Sequence, residues 1–435
     1  MNRRRILSRL AIFVAAVGMS VGVEAAEAPS PPPAEMVARL LEEVPLIDGH
    51  IDLPWVIRER FGSRLGSFDL TDTATLDPPL ATDLRKLRAG GVGGVFWSVW
   101  VPTDLGGDEA VRTVLEQIDL VRRMAAAYPN DLEIALTADD VRRIHAAGRI
   151  ASLIGAEGGH CIADSPAVLR MLYAVGARYL TLTHWDPTAW ADAATAAPEH
   201  GGLTDFGAAL VREMNRLGML VDLSHVSAAT MHDALDATRT PVIFSHSCAA
   251  ALNPHPRNVP DDVLRRLPAN GGVVMVNFGS YFIDPAVTER VAAGEAEEAR
   301  LKALHPGDPE AVAAALGRWY EDHPMPRVTV AQLADHIDHI RTVAGIDHVG
   351  LGSDFEGLSS LPEGLEDVSC YPNLLVELAR RGYSRDDLAR VAGLNVLRVM
   401  ADAERVAASL AKVELPLERQ LGDPPAPTPA SSPSR

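Results

Sequence analysis

Two side chains separated by one residue, His50 and Asp52, open the chemistry of this chain. They follow the apolar run Val44–Ile47, which reads as a short buried strand stopping at the turn signal Asp48-Gly49. Residues two apart on extended backbone face the same way, so an imidazole and a carboxylate would leave the strand side by side, as ligands to a divalent ion do. A lone His-x-Asp has a blander reading, a solvated turn. That reading gives way because later apolar runs end in matching chemistry. ASLIGAE ends in Glu157, ahead of Gly158-Gly159-His160; MLVDLSH ends in His225; VIFSH ends in His246.

Glutamate is seldom buried without a partner, so Glu157 at a strand end implies a metal or another cation. A single histidine at a strand end is more often a satisfied polar residue than a ligand. Two Ser-His ends after runs of Val, Ile, Leu and Phe point to metal. With His50, Asp52 and Glu157 they supply nitrogen and oxygen ligands for two ions, and one carboxylate must bridge them. A pair of ions ~3.5–4 Å apart can activate one hydroxide. Asp354, in GLGSDF, could move a proton from that water to a leaving amine; its bland role is a helix cap. His184, ending YLTLTH, could stabilise an oxyanion; its bland role is a structural hydrogen bond. Cys161 and Cys248 lie near these ligands, but the nitrogen and oxygen set is complete without them, so they read as inert buried thiols.

These residues need parallel strands that share one end. Eight short apolar runs supply them: Pro45–Ile47, Gly91–Val101, Ala151–Glu157, Tyr179–His184, Met219–His225, Val242–His246, Gly272–Phe278 and His348–Phe355. Asp108–Tyr128, Asp205–Leu217 and Thr329–Ala344 carry the helical rhythm between strands. The pattern predicts an α/β chain folded as a (β/α)8 TIM-like barrel. A doubly wound open sheet is the rival, but no Gly-rich phosphate turn follows the first strand. Residues 279–327 show no strand, only Glu/Ala-rich helical pattern, and read as an insertion after strand seven, a lid or a structural cover.

The 435 residues carry a net charge of −18, which argues against nucleic acid or an anionic membrane as partner. Three cysteines exclude a disulfide scaffold. Arg3, Arg4, Arg5 and Arg9 precede an apolar stretch, Leu10–Val23, and small-residue cleavage sites, so residues 1–28 read as a signal peptide, with a weak twin-arginine pattern. Export to the periplasm or medium follows as an expectation. A Pro-rich linker is expected over 29–40, the hydrolase barrel over 41–415 and a disordered tail over 416–435; no lipid-anchor signal is evident.

The ordered motifs IDGHIDLPW, GAEGGH, RYLTLTH followed by WAD, GMLVDLSHVS, PVIFSHS, RNVPDDVL, VVMVNF and DHVGLGSDFEG resemble those of the membrane (renal) dipeptidases, amidohydrolase-like metallopeptidases, over roughly residues 45–400. The resemblance implies two Zn²⁺ ions, one held by His50, Asp52 and Glu157, the other by Glu157, His225 and His246. It implies that His184 polarises the substrate, that Arg257 grips the substrate carboxylate and that Asp354 is the acid/base. It implies a dipeptide as substrate and a homodimer as assembly. Family members differ in taking L,L or L,D dipeptides, and some open β-lactam rings. The chain departs from the family pattern at Ile51, at Trp185-Asp186-Pro187-Thr188 and in the 279–327 insertion. Two rivals are a different amidohydrolase acting on cyclic amides or lactones, which would commonly use a bridging carbamylated lysine, and a non-catalytic barrel used for binding, which would be expected to have lost a ligand.

Overall fold

A computed structural model describes residues 32–424. The expected signal peptide lies outside the described residues. Nine strands form one parallel sheet: β1 (Leu46–Ile51), β2 (Val92–Ser98), β3 (Leu132–Ile134), β4 (Ile150–Ala156), β5 (Ala177–Thr181), β6 (Leu220–Asp222), β7 (Ile243–Phe244), β8 (Val273–Val276) and β9 (Val349–Leu351). Their order is β2-β1-β9-β8-β7-β6-β5-β4-β3, and a further pairing of β2 with β4 closes the ring. Eight strands therefore make the barrel, and β3 pairs through Leu132–Ile134 with the first residues of β4 alone, Ile150–Ser152. This is the (β/α)8 architecture; the added strand is three residues long, too short to stand out as an apolar run.

The ring closes around large apolar side chains. Ile47, Phe96, Leu153, Tyr179, Ile243 and Met275 are all buried in one interior cluster, which Val396, Val399 and Met400 of the helix Asn395–Leu410 join. Each such side chain contributes about 1.5–3 kcal/mol when fully buried. A second, larger cluster packs the helices onto the outer faces of the strands. Two glycines let backbone and side chains cross the interior. A Cβ on Gly49 would lie 2.2 Å from Met275 Sδ and 2.5 Å from the Ser245 carbonyl oxygen. A Cβ on Gly155 would lie 1.9 Å from the Tyr179 ring. Gly49 thus corrects the expectation that the first strand stops at Asp48-Gly49: β1 runs on to Ile51, and the glycine serves close packing rather than a turn.

The linker expected over 29–40 gives way to helix from Pro33. The segment Pro33–Glu43 is an α-helix whose Val37, Leu40 and Leu41 are buried. At the other end, residues 416–424 have no helix or strand, but Leu417 donates its backbone N–H to Glu213. The 279–327 segment follows β8, the seventh strand of the ring. It folds as Ser280–Ile283, Pro285–Leu304 and Pro309–Asp322. The carboxylates of Asp284 and Asp308 cap the two longer helices, each of which carries a proline in its first turn. They pack closely at Gly294, where a Cβ would lie 2.0 Å from Tyr320 Oη. No helix among the described residues is long and apolar enough to cross a membrane.

Candidate active site

The strand ends converge on a cavity of about 250 Å³. Glu157, just past β4, stands at its centre and is 3% exposed. Its two carboxylate oxygens face different partners. Oε2 lies 3.3 Å from His50 Nε2, which is 3.4 Å from Asp52 Oδ2. Oε1 lies 3.0 Å from His225 Nε2 and 3.4 Å from His246 Nε2. The two histidine Nε2 atoms are themselves 3.0 Å apart. The sequence-predicted ligands therefore gather around Glu157, with Asp52 joined through His50 and grouped with His50 and Asp354.

The donor set fits divalent metal. His50 Nε2 is buried with no hydrogen-bond partner. His50 Nδ1 lies 2.9 Å from Tyr179 Oη, and that phenol donates to the Gly49 carbonyl, so the phenol oxygen accepts from Nδ1–H and Nε2 is the nitrogen turned to the Asp52 and Glu157 carboxylates. Burial, with Arg257 and His184 beside it, holds the His225 imidazole well below its ordinary pKa. Burial, with His50 and Arg257 beside it, does the same at His246. Both rings are then neutral, as ligands must be. Burial opposes ionisation of Glu157, yet His50, His184 and His225 around it hold the carboxylate well below its usual range. Cys161 and Cys248 are not among the grouped ligands, and burial pushes the Cys161 thiol up to about 12.

Backbone strain marks the same positions. His225 and Asp354 have φ of 67° and 66°, in the left-handed region that side chains rarely adopt. The His225 carbonyl accepts from Ala194 N–H at 2.7 Å and from Thr183 Oγ1 at 3.1 Å, which pins that turn. Asp354 donates its N–H to the His50 carbonyl at 2.9 Å, and its Oδ2 accepts from Asn277 Nδ2 at 2.9 Å. Burial, reinforced by Asp52 and Glu157, raises Asp354 well above the usual carboxylate range. His184 Nε2 lies 3.6 Å from Glu157 Oε1, and burial lowers its pKa to about 4, so the ring is a neutral hydrogen-bond donor.

Arg257 is 2% exposed and lines the cavity. Its guanidinium makes two long contacts, 3.5 Å to Ser247 Oγ and 3.4 Å to the His246 carbonyl, and Nε has no partner. The salt bridge to Asp261 or Asp262 that a surface loop would offer is not formed. Asp261 pairs with His339 and Arg265, and Asp262 pairs with His232. A buried, unpaired guanidinium facing a cavity is costly unless an anion joins it.

The membrane dipeptidase model, peptidase family M19, matches residues 34–414. The chain belongs to the membrane dipeptidase family. It is 41% identical over 379 residues to dipeptidase verJ of Clonostachys rogersoniana, covering 85% of this chain and 86% of that protein. It is 40% identical over 377 residues to dipeptidase 3 of Rattus norvegicus, covering 86% and 68%. Among solved structures, the probable dipeptidase PvdM from Pseudomonas aeruginosa superimposes with a TM-score of 0.72 at 26% identity, over 86% of this chain and 99% of that one. A metallo peptidase from Rhodobacter sphaeroides, solved with a phosphinate mimic of the dipeptide L-Ala-D-Ala, gives 0.68 at 23% identity, over 83% and 99%.

Several residues of this dipeptidase's site escape a motif reading. Asp48 is fully buried and accepts from His50 N–H at 2.7 Å, from Ser353 Oγ at 2.5 Å and from the Tyr371 hydroxyl. Its carboxylate thereby ties β1, which carries His50, to the turn that carries Asp354. Asn277 and Tyr179 hold Asp354 and His50 directly. A carboxylate or phenol inside an apolar strand run is the signal that could have found Asp48 and Tyr179, since neither is left unpaired in a core. Trp55, Trp100, Trp185, Tyr281 and Phe282 line the cavity. Nothing in their spacing marked them. A larger groove of about 1190 Å³ runs past Arg58, Glu116 and Arg123 and holds none of these ligands.

Proposed function

We propose that this member of the family is a binuclear zinc dipeptidase acting on dipeptides with a free C-terminal carboxylate, including those with a D-residue there. One observation carries the reading: Glu157 turns one oxygen to His50, beside which Asp52 stands, and the other to His225 and His246. In this reading His50, Asp52 and Glu157 hold one ion, and Glu157, His225 and His246 hold the other. The ions would supply Lewis acidity and a nucleophilic hydroxide near neutral pH. The rest of the chemistry falls to side chains of the chain. Arg257 receives the substrate carboxylate in a two-pronged contact. The neutral His184 donates a hydrogen bond to the peptide oxygen as negative charge develops on it. Asp354 takes the proton of the attacking water and passes it to the amine nitrogen as the C–N bond breaks.

The mimic bound by the Rhodobacter relative supports including D-residues in the substrate range. The shared Glu157 argues against the carbamylated-lysine chemistry of other amidohydrolases, and the retained ligand set argues against a non-catalytic barrel. A panel of L,L and L,D dipeptides, free and C-terminally amidated, tests the reading alongside zinc analysis. Turnover of free dipeptides with two zinc equivalents is expected. Preferred hydrolysis of lactones or cyclic amides would overturn it. Export by residues 1–28 belongs to the same proposal, with a mature N-terminus near residue 26 or 29.

A further inference from the structure

The three ligand imidazoles are not held alike. His50 leans on a phenol, whereas His225 Nδ1 is buried without a partner. His246 alone is tied to a carboxylate, through a hydroxyl. Its Nδ1 lies 2.8 Å from Ser245 Oγ, and Ser245 Oγ lies 2.6 Å from Asp222 Oδ2. All of these residues are fully or almost fully buried.

We infer that Asp222, acting through Ser245, is a positioning residue that fixes the tautomer of His246 and so loads the metal position His246 shares with His225 and Glu157; this rests on the binuclear reading above. The direction of each hydrogen bond follows from counting protons. Asp222 Oδ1 accepts from the backbone N–H groups of Ser224 at 3.1 Å and Ser245 at 2.8 Å. Its Oδ2 accepts from Thr181 Oγ1 at 2.6 Å and from Ser245 Oγ. A carboxylate has no proton to give, so the Ser245 hydroxyl donates its own to Asp222. The Ser245 oxygen can then only accept from His246. That places the imidazole proton on Nδ1 and the lone pair on Nε2, the atom facing Glu157.

The same count predicts what an amide does at position 222. The backbone donors of Ser224 and Ser245 hold the amide oxygen on the Oδ1 side. The NH2 group must therefore face Ser245 Oγ and donate to it. The hydroxyl proton turns toward His246 Nδ1, and the ring proton moves to Nε2, where it blocks a metal. Asp222→Asn is thus nearly isosteric but reverses the relay. Ser245→Ala only removes a partner from Nδ1–H. Thr181→Val removes a hydrogen bond to the same Asp222 oxygen but leaves the proton order from Ser245 to the imidazole unchanged.

The test measures zinc affinity of the full chain by chelator competition, the visible spectrum after cobalt substitution, and the Tm of the metal-free proteins. Asp222→Asn should weaken one of the two zinc sites by at least 10–100-fold, the usual effect of removing such a partner. Ser245→Ala should weaken that site by about 10-fold, and both variants should change the cobalt bands of one ion. Thr181→Val should lower Tm yet bind zinc within about twofold of the parent, as expected of a neighbour whose loss leaves the His246 tautomer in place. If Asp222→Asn does not fold, the contrast between Ser245→Ala and Thr181→Val still decides. Equal zinc affinity in Ser245→Ala, Thr181→Val and the parent would overturn the inference. A parent chain that binds no zinc would instead overturn the binuclear reading.

Discussion

The strand-end site and the helical hairpin that follows β8 are built on opposite terms. At the site the polar groups are buried, His50, His246 and Asp354 are oriented by a second side chain, and His225 and Asp354 are strained in backbone. In the hairpin, Pro285–Leu304 and Pro309–Asp322 bury only Val287, Gly294, Leu301 and Val312, and the rest is surface dressed with short-range ion pairs such as Arg300–Glu297. The lesson concerns where substitutions are felt. Groups in the first region have one arrangement and no water to replace a lost partner. Groups in the second exchange protein for solvent at little cost.

The largest effect should come from Asp354→Asn. It should keep both metals and still bind substrate, while kcat falls by a factor on the order of 10²–10⁴, the usual worth of general acid–base catalysis. Loss of metal would recast Asp354 as a ligand, in keeping with its place beside His50 and Asp52. Next is Arg257→Ala, which should cost about 2–5 kcal/mol in kcat/KM on a free dipeptide. The amidated dipeptide should lose far less. An equal loss on both would show that Arg257 does not read the carboxylate.

A smaller effect is expected at Glu356, whose pKa burial raises from 4.5 to about 7. The folded state binds this proton more tightly than the unfolded chain. Its contribution to stability is fully present below the unfolded value and is lost as pH rises through about 7. In zinc-free protein, Glu356→Gln should match the parent near pH 4 and exceed it near pH 8 by about 1–3 kcal/mol in urea unfolding. A gap that widens toward acid would contradict the assignment. Smallest is Arg300→Ala on the hairpin, an exposed pair that should move stability by less than about 0.5 kcal/mol and leave kcat unchanged. A large loss of activity there would erase the contrast and give the hairpin a part in the chemistry.

The same contrast explains what could be read from the chain itself. His50, Asp52, Glu157, His225 and His246 stood out because ionisable residues ending buried apolar runs are rare without a purpose, and the barrel followed from the spacing of those runs. The groups that hold the ligands were harder. Tyr179 sits inside a run where an aromatic is ordinary core, and its hydroxyl reaches His50 only because Gly155 clears its path. Asp48-Gly49 has the composition of a turn, and only the approach of Met275 and Ser245 from other strands explains that glycine. The helix Pro33–Glu43 was hidden by its Pro-rich approach, since its buried face shows only against its packing partners. Arg257 was placed by resemblance alone; its burial and lack of a carboxylate partner are tertiary facts.

The central claim is that one carboxylate serves two ions, and zinc content per chain tests it most directly. Purified parent protein, His225→Ala and Glu157→Gln would be dialysed against the same low free-zinc buffer and analysed for metal, with circular dichroism as a check on folding. The account predicts about two equivalents in the parent and about one in His225→Ala. Glu157→Gln, which weakens both positions at once, should hold close to none. A folded Glu157→Gln protein that keeps one ion at full occupancy would contradict the shared bridge.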